Sequence, residues 1–221
     1  MNAQGETLID LGAIAKTLDN GGLARTVSVK EGQSLFIQDD PGDALYLVKS
    51  GTLEANIFAS SGKKLSLNIM QPGDVIGEIA VLDGGPRTAT VTALEDAELA
   101  RVDRTTLIDQ MRRNPDIALE LIQILCGRLR WISQQVEDMA LLNTEKRLAR
   151  RLILIARKFS DEKGHLNLSQ SELADFLGLS RESTNKILQG WRSKGLIGLA
   201  RGSIAIVDYV GLTKIAEFQE P

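Results

Sequence analysis

Between positions 25 and 70 the hydrophobic period is two, and turn residues interrupt it every few positions. That pattern leaves the chain few folds to adopt. Alternating runs cover 25–30, 34–37, 44–48, 52–58 and 64–70. Between them lie Glu31-Gly32, the cluster Asp39-Asp40-Pro41-Gly42-Asp43, Ser50-Gly51, Ser60-Ser61-Gly62 and Gln71-Pro72-Gly73-Asp74. Glycine, proline and short polar side chains set the backbone angles that reverse a strand, so each cluster is a turn. Further strands are expected at 88–93 and 98–102. Short strands at this spacing build an all-β sandwich or jelly roll. Ahead of them, Leu8, Leu11, Ile14 and Leu18 form a weak amphipathic pattern, predicting a short peripheral helix in residues 1–24.

Residues 77–89, G-E-I-A-V-L-D-G-G-P-R-T-A, carry the chemistry of this segment. Gly84-Gly85-Pro86 turns sharply and delivers Arg87 and the hydroxyl of Thr88 beside backbone N–H groups. A guanidinium with amides and a hydroxyl suits a phosphate, whereas the carboxylate of Glu78 repels phosphate but accepts from a ribose hydroxyl. One ligand carrying both groups satisfies both residues. A Glu–Arg pair at the ends of a loop can also be a plain surface ion pair. The G-E pair and R-T-A at this spacing together favour binding.

After Asp103 the period becomes helical. A short helix over 104–113 stops at Asn114-Pro115. In 116–143 the apolar positions Ala118, Ile122, Leu125, Leu129, Ile132, Val136 and Met139 alternate by four and three. A period of 3.5 is the seam of a parallel two-stranded coiled coil, so this helix is expected to pair identical subunits. The alternative is that the barrel buries this face. Asn143 or Thr144 caps the next helix, 144–158, and the break between the two helices is the expected hinge. A polar loop leads to a short strand at 166–168.

The remaining segment reads as a helix-turn-helix. Ser169-Gln170-Ser171-Glu172 is a capping box, Gly178 allows the turn, and a second helix opens after Ser180. Thr184, Ile187, Leu188 and Trp191 form its inner face. That turns Arg181, Glu182, Asn185, Lys186 and Gln189 outward, where side chains reach base edges. Residues 196–199 and 202–207 make a hairpin wing turning at Ala200-Arg201-Gly202. Backbone phosphate contacts are expected from Ser169, Gln170, Ser180, Ser183 and Arg201.

Charge follows this division. Residues 1–143 hold 13 Lys and Arg against 20 Asp and Glu, net −7; residues 144–221 hold 13 against 9, net +4. The basic half is where DNA is expected. Cys126 is the only cysteine, which excludes an internal disulfide and points to a reducing cytoplasmic home. His165 is the only histidine and lies outside the strand-rich segment, which removes a cupin-type metal site, a haem ligand there, and a Ser-His or Cys-His nucleophile. No signal peptide or membrane-spanning run is legible, and enzymatic function is not expected.

The 77–89 stretch resembles the phosphate-binding cassette of cyclic-nucleotide-binding domains. The order of elements after it resembles the bacterial catabolite activator family of cyclic-AMP receptor and fumarate-nitrate regulators. The resemblance runs from about Glu31 to Asp208. It implies an α+β chain of two domains: a cupin-like β jelly roll at 1–113, a dimerisation helix at 114–143, and a winged helix-turn-helix at 144–221. It assigns the ribose hydroxyl to Glu78 and the cyclic phosphate to Arg87 and Thr88, with Gly77 allowing close backbone approach and Ile79 beside them. On the long helix the positions matching the family's phosphate and adenine contacts are Arg128, Ile132 and Ser133. Isoleucine cannot hydrogen-bond an adenine amino group, and a threonine after the cassette arginine is associated in eukaryotic domains with guanine. Closeness to the bacterial family makes cyclic AMP the first expectation for the allosteric effector, and these two residues make cyclic GMP the second, with no metal; a family member that binds DNA without ligand is a further alternative. S-R-E-x-x-x-K resembles the family's recognition helix, implying that Arg181 takes a guanine, Glu182 a cytosine amino group, and Lys186 a further base or phosphate. The implied partners are a second copy of the chain, a palindromic double-stranded DNA operator, and RNA polymerase. The loop from Lys158 to His165, where the family places a polymerase contact, is shorter here.

Overall fold

The strands form where the turn clusters cut the alternating pattern. The computed structural model describes Ile14 and residues 23–60, 62–160 and 165–216. Eight strands come first: β1 (Arg25–Val29), β2 (Ser34–Phe36), β3 (Ala44–Ser50), β4 (Leu53–Phe58), β5 (Lys64–Met70), β6 (Val75–Ile76), β7 (Thr90–Ala93) and β8 (Ala97–Asp103). Helix α1 (Glu78–Asp83) lies between β6 and β7. Then follow α2 (Arg104–Arg113), α3 (Pro115–Leu141), α4 (Thr144–Phe159), β9 (His165–Leu166), α5 (Gln170–Leu177), α6 (Arg181–Ser193), β10 (Ile197–Ala200), β11 (Ser203–Ile206) and α7 (Tyr209–Ala216). The chain divides into two compact units, residues 1–57 with 67–132, and residues 58–66 with 133–221. The division falls within α3, at Ile132 and Ser133.

In the first unit two antiparallel four-stranded sheets run in the orders β1-β8-β3-β6 and β2-β7-β4-β5. Strand β3 shows how the sequence builds them. Ala44, Tyr46 and Val48 point into a core shared with Leu53, Met70, Val91 and Leu99, while Leu45 and Leu47 point to the opposite face. There Val81 of α1, Leu107 of α2, and Ile117, Leu121 and Ile124 of α3 cover them. A strand buried on both faces reads as an unbroken apolar run, as 44–48 does. Ile14 is helical and buried, and its amide donates to Glu120 Oε2 at 2.9 Å. The predicted helix over Leu8, Leu11 and Leu18 otherwise lies outside the described residues.

Helix α3 has two apolar faces, so each reading of its pattern captures one of them. Ile117, Leu121 and Ile124 are spaced four and three apart and pack on the barrel. Of the predicted seam, Ala118 and Leu125 are half-buried, whereas Ile122, Leu129, Ile132, Val136 and Met139 are each at least half exposed, and Leu119 joins them.

In the second unit the described strands form a three-stranded antiparallel sheet, β10-β11-β9. Leu148, Leu152, Ile155 and Ala156 bury the inner face of α4 as their spacing predicts. The break after α3 is fixed by side chains. Asn143 caps α4, accepting from the amide of Lys146 at 2.9 Å. Arg150 of α4 reaches back to Asp138 of α3 at 2.5 Å and also donates through Nε to the carbonyl of Ala216. Trp191, buried on α6, donates from its indole to Glu145 at 2.9 Å, tying the second helix of the motif to the start of α4. Removing the cap leaves an amide of the first turn unsatisfied, so Asn143→Ala is expected to cost about 1 kcal/mol. Thermal unfolding should show this as a midpoint lower by roughly 2–4 °C.

The hairpin strands begin and end one residue from the predicted ones, and β9 occupies His165–Leu166 rather than 166–168. Two helices, α1 and α7, have no counterpart in the predicted elements.

Candidate ligand site and nucleic-acid interface

The R-T-A segment is held from two sides before any side chain contributes. The amide of Arg87 donates to Asp40 O and the amide of Asp39 donates to Arg87 O, both at 2.9 Å, and Pro41 bridges to Pro86. The loop between β2 and β3 thus fixes the backbone that carries Arg87. On the other side, α1 is bracketed by Gly77 (φ 82°) and Gly84 (φ 76°), both left-handed, a conformation that costs other L-residues about 1–2 kcal/mol. Gly77 also lies too close to Arg87 for a side chain: a Cβ there would sit 2.3 Å from Nη1.

Arg87 and Glu78 are both buried, at 2% and 0% exposure. Their surroundings differ. Arg87 donates through Nη2 to Ala44 O at 2.8 Å and through Nη1 to Gly77 O at 3.2 Å. Its guanidinium carbon lies 4.2 Å from the centre of the Phe36 ring and 5.6 Å from that of Tyr46. Asp43 Oδ1 is 3.7 Å away on a two-thirds exposed side chain. Burial pulls the Arg87 pKa below the usual guanidinium value, and the nearby Tyr46 and Asp43 oppose it. Glu78 pairs through Oε1 with Nη1 of Arg128, whose Nη2 donates to Val75 O at 2.6 Å. One oxygen of Glu78 (Oε2) and one nitrogen of Arg87 (Nε) are buried with no hydrogen-bond partner.

The structure thus brings Gly77, Glu78, Arg87 and Arg128 together. Ile79 is half-buried on α1, Thr88 is exposed next to Arg87, and Ile132 and Ser133 are exposed on α3. Phe36, Tyr46 and the carbonyls of Ala44 and Val75 also belong to the site. Nothing in their local sequence marks them, because 41 to 53 positions separate each from the arginine it touches.

The second site lies on the helix-turn-helix. Ser169 and Glu172 complete the capping box of α5. Ser180 caps α6, accepting from the amide of Ser183 at 3.1 Å. On α6, Thr184, Leu188 and Trp191 are buried, which leaves Arg181, Glu182, Ser183, Asn185, Lys186 and Gln189 exposed. Between the start of α5, the start of α6 and the turn of the β10–β11 hairpin is a groove of about 360 Å³. Ser169, Gln170, Arg181, Asn185 and Arg201 line it, and no carboxylate does. Two arginines beside serine hydroxyls and a capped helix start make a surface for phosphate oxygens and base edges.

Two family models match the chain. The cyclic nucleotide-binding domain covers residues 26–114, and the Crp-like helix-turn-helix domain covers residues 146–215. The CRP-like cAMP-activated global transcriptional regulator of Mycobacterium tuberculosis is 31% identical over 195 residues, 86% of this chain and 87% of that one. The chain belongs to the CRP/FNR family of transcription regulators. Family membership makes it a DNA-binding regulator with a cyclic-nucleotide-binding domain, and its relatives are regulators rather than enzymes. The cyclic AMP receptor protein of Thermus thermophilus is likewise 31% identical, over 84% of this chain and 85% of that one. Among solved structures, a CRP/FNR-family regulator from Thermus thermophilus matches with a TM-score of 0.77 and 26% identity, over 89% of this chain and all of that one. The c-di-GMP responsive global regulator CLP of Xanthomonas campestris shares the fold at a TM-score of 0.78 and 22% identity, over 89% of this chain and 99% of that one. Among the described residues, no cluster of three or more His, Cys, Asp or Glu could hold a metal, and no helix is long and apolar enough to cross a membrane.

Proposed function

We propose that this regulator is a cytoplasmic homodimer switched by a cyclic nucleotide, with cyclic AMP as the effector. The observation that carries the reading is the pair of orphan atoms. A buried acceptor without a donor and a buried donor without an acceptor each cost about 1–3 kcal/mol. Glu78 Oε2 and Arg87 Nε are such a pair, on residues separated by one short helix and a turn. A ribose hydroxyl satisfies the first and a cyclic phosphate the second. Thr88, exposed beside Arg87, adds a hydroxyl to the phosphate.

The names of the Mycobacterium and Thermus relatives favour cyclic AMP. Thr88 and the apolar Ile132 are the residues that keep cyclic GMP as the second reading. Arg128 links the ligand to the long helix, since it bonds the ribose-binding carboxylate and Val75 O together. A ribose hydroxyl on Glu78 draws charge from that pair, and α3 carries the change toward the Asn143 break. The exposed stripe of α3 joins two copies, with Ser133 reaching the ligand alongside it. The two recognition helices then meet successive major grooves of a palindromic operator. Arg181 takes a guanine, Glu182 a cytosine amino group, and Lys186 a further base or phosphate. Ser169, Gln170, Ser180, Ser183, Asn185 and Arg201 hold the backbone and flanking bases, and RNA polymerase is the further partner.

Calorimetric titration of the purified protein with cyclic AMP, cyclic GMP and adenosine tests this. Cyclic AMP should bind tightest and adenosine, which lacks the phosphate, at least about 100-fold more weakly, a difference of about 2.7 kcal/mol. Preference for cyclic GMP would replace the effector. Binding of neither cyclic nucleotide would leave a regulator that binds DNA without this switch.

A further inference from the structure

A buried arginine needs something to hold it, and what holds it decides whether its charge remains available. A carboxylate against Arg87 would fix the side chain and neutralise it, leaving little field for an anion. Around Arg87 the hydrogen-bond partners are neutral. Two backbone carbonyls take Nη1 and Nη2, and the ring of Phe36 covers the guanidinium at 4.2 Å. Tyr46 lies beside Phe36, their ring centres 6.0 Å apart and its own 5.6 Å from the guanidinium carbon, and Asp43, at 3.7 Å, keeps two-thirds of its side chain in solvent. An aromatic face attracts a cation through its quadrupole without cancelling its charge, and the effect grows when the pair is withdrawn from water. Nε of Arg87 is buried and has no hydrogen-bond partner, which leaves it as the guanidinium donor that an incoming anion can take.

We propose that Phe36 is a positioning residue for anion recognition: its ring clamps Arg87 edge-on toward the ligand phosphate while preserving the full positive charge. The assignment deepens the cyclic-nucleotide reading and rests on it. The local chain suits the role. Phe36 is the last residue of β2, and the register against β7 shifts between Ser34 and Phe36, a local irregularity of the kind that re-aims a side chain.

Phe36→Leu keeps an apolar side chain and removes the π face; Phe36→Tyr keeps the face. Phe36→Leu is expected to weaken cyclic-nucleotide binding by roughly 5–30-fold, the range of a desolvated cation–π contact, and Phe36→Tyr by no more than about 2-fold. A second readout separates positioning from general packing. The Nε–Hε resonance of Arg87, assigned with Arg87→Lys, should lie upfield in the wild type and in Phe36→Tyr, because the guanidinium carbon lies over the ring at 4.2 Å. It should move downfield in Phe36→Leu, with the unfolding midpoint of both variants measured alongside. If the wild type binds a cyclic nucleotide and Phe36→Leu binds it equally well, or if the Arg87 resonance does not move, the role of Phe36 is overturned and the ligand reading stands. If the wild type binds no cyclic nucleotide, both fall.

Discussion

A Gly77→Ala variant is expected to fold but to bind cyclic nucleotide roughly 100-fold more weakly than the wild type, a loss of about 2.7 kcal/mol in calorimetric titration. The added carbon would meet Arg87 Nη1 at 2.3 Å and Ala44 O at 3.2 Å. Arg87 is 2% exposed, so its guanidinium cannot swing into solvent and must instead leave the carbonyls of Gly77 and Ala44. Each charge-assisted hydrogen bond misaligned with the phosphate loses about 1.5–3 kcal/mol, and two such bonds cover the expected loss. The backbone adds its own strain, about 1–2 kcal/mol for a side chain at φ 82°. That strain lowers the unfolding midpoint and is separable from the binding loss, because Gly84→Ala places a side chain at φ 76° at the other end of α1 with only Arg104 Nη2, at 3.8 Å, nearby. Gly84→Ala should therefore lose stability and keep most of its affinity. Binding by Gly77→Ala within about 3-fold of wild type, under 0.7 kcal/mol, would show that Arg87 does not hold the phosphate.

This contrast shows what could be read from the sequence alone. Gly77, Glu78, Arg87 and Thr88 fall within twelve consecutive positions, so their chemistry was visible as a group. The same window hid α1: six residues between a strand and a glycine pair are too few for periodicity to separate helix from strand, and only the left-handed caps at both ends define it. Phe36 looked like one more apolar residue of an alternating run, because the arginine it covers is 51 positions away. Arg128 stands out only by resemblance to the family, and its pairing with Glu78 across 50 positions is a product of the fold. Helix α7 is only eight residues long, Y-V-G-L-T-K-I-A, too short for a periodic signal to announce it. The winged motif was legible almost residue by residue, since its caps and turns are local: Ser169 with Glu172, Ser180 with Ser183, and Gly178 and Gly202 at positive φ.

The long helix was the hardest to read, and it carries the second large effect. Exchanging Leu129 and Val136 for lysine is expected to convert the protein to a monomer at micromolar concentration and to weaken operator binding by at least about 1,000-fold, or about 4 kcal/mol. Both side chains are at least 60% exposed on one copy, on the stripe that also carries Ile122 and Ile132, whereas the helix packs on the barrel through Ile117, Leu121 and Ile124. The substitutions therefore leave the barrel core untouched. In a two-fold interface each change counts twice. Four apolar side chains lose about 1.5–3 kcal/mol apiece, and the lysines face one another across the axis. A total of about 6 kcal/mol or more is a factor of roughly 10⁴ in the dimer dissociation constant. Operator affinity follows, because a monomer holds one half-site and loses the second recognition helix. Sedimentation equilibrium gives the mass and a fluorescence titration with the operator gives the affinity. Far-UV circular dichroism and the thermal unfolding midpoint check folding, since the barrel-facing residues of α3 are unaltered. If the double variant stays dimeric at micromolar concentration, two copies do not join through this stripe. If it becomes monomeric and keeps its operator affinity, each recognition helix acts alone and the palindrome is not required.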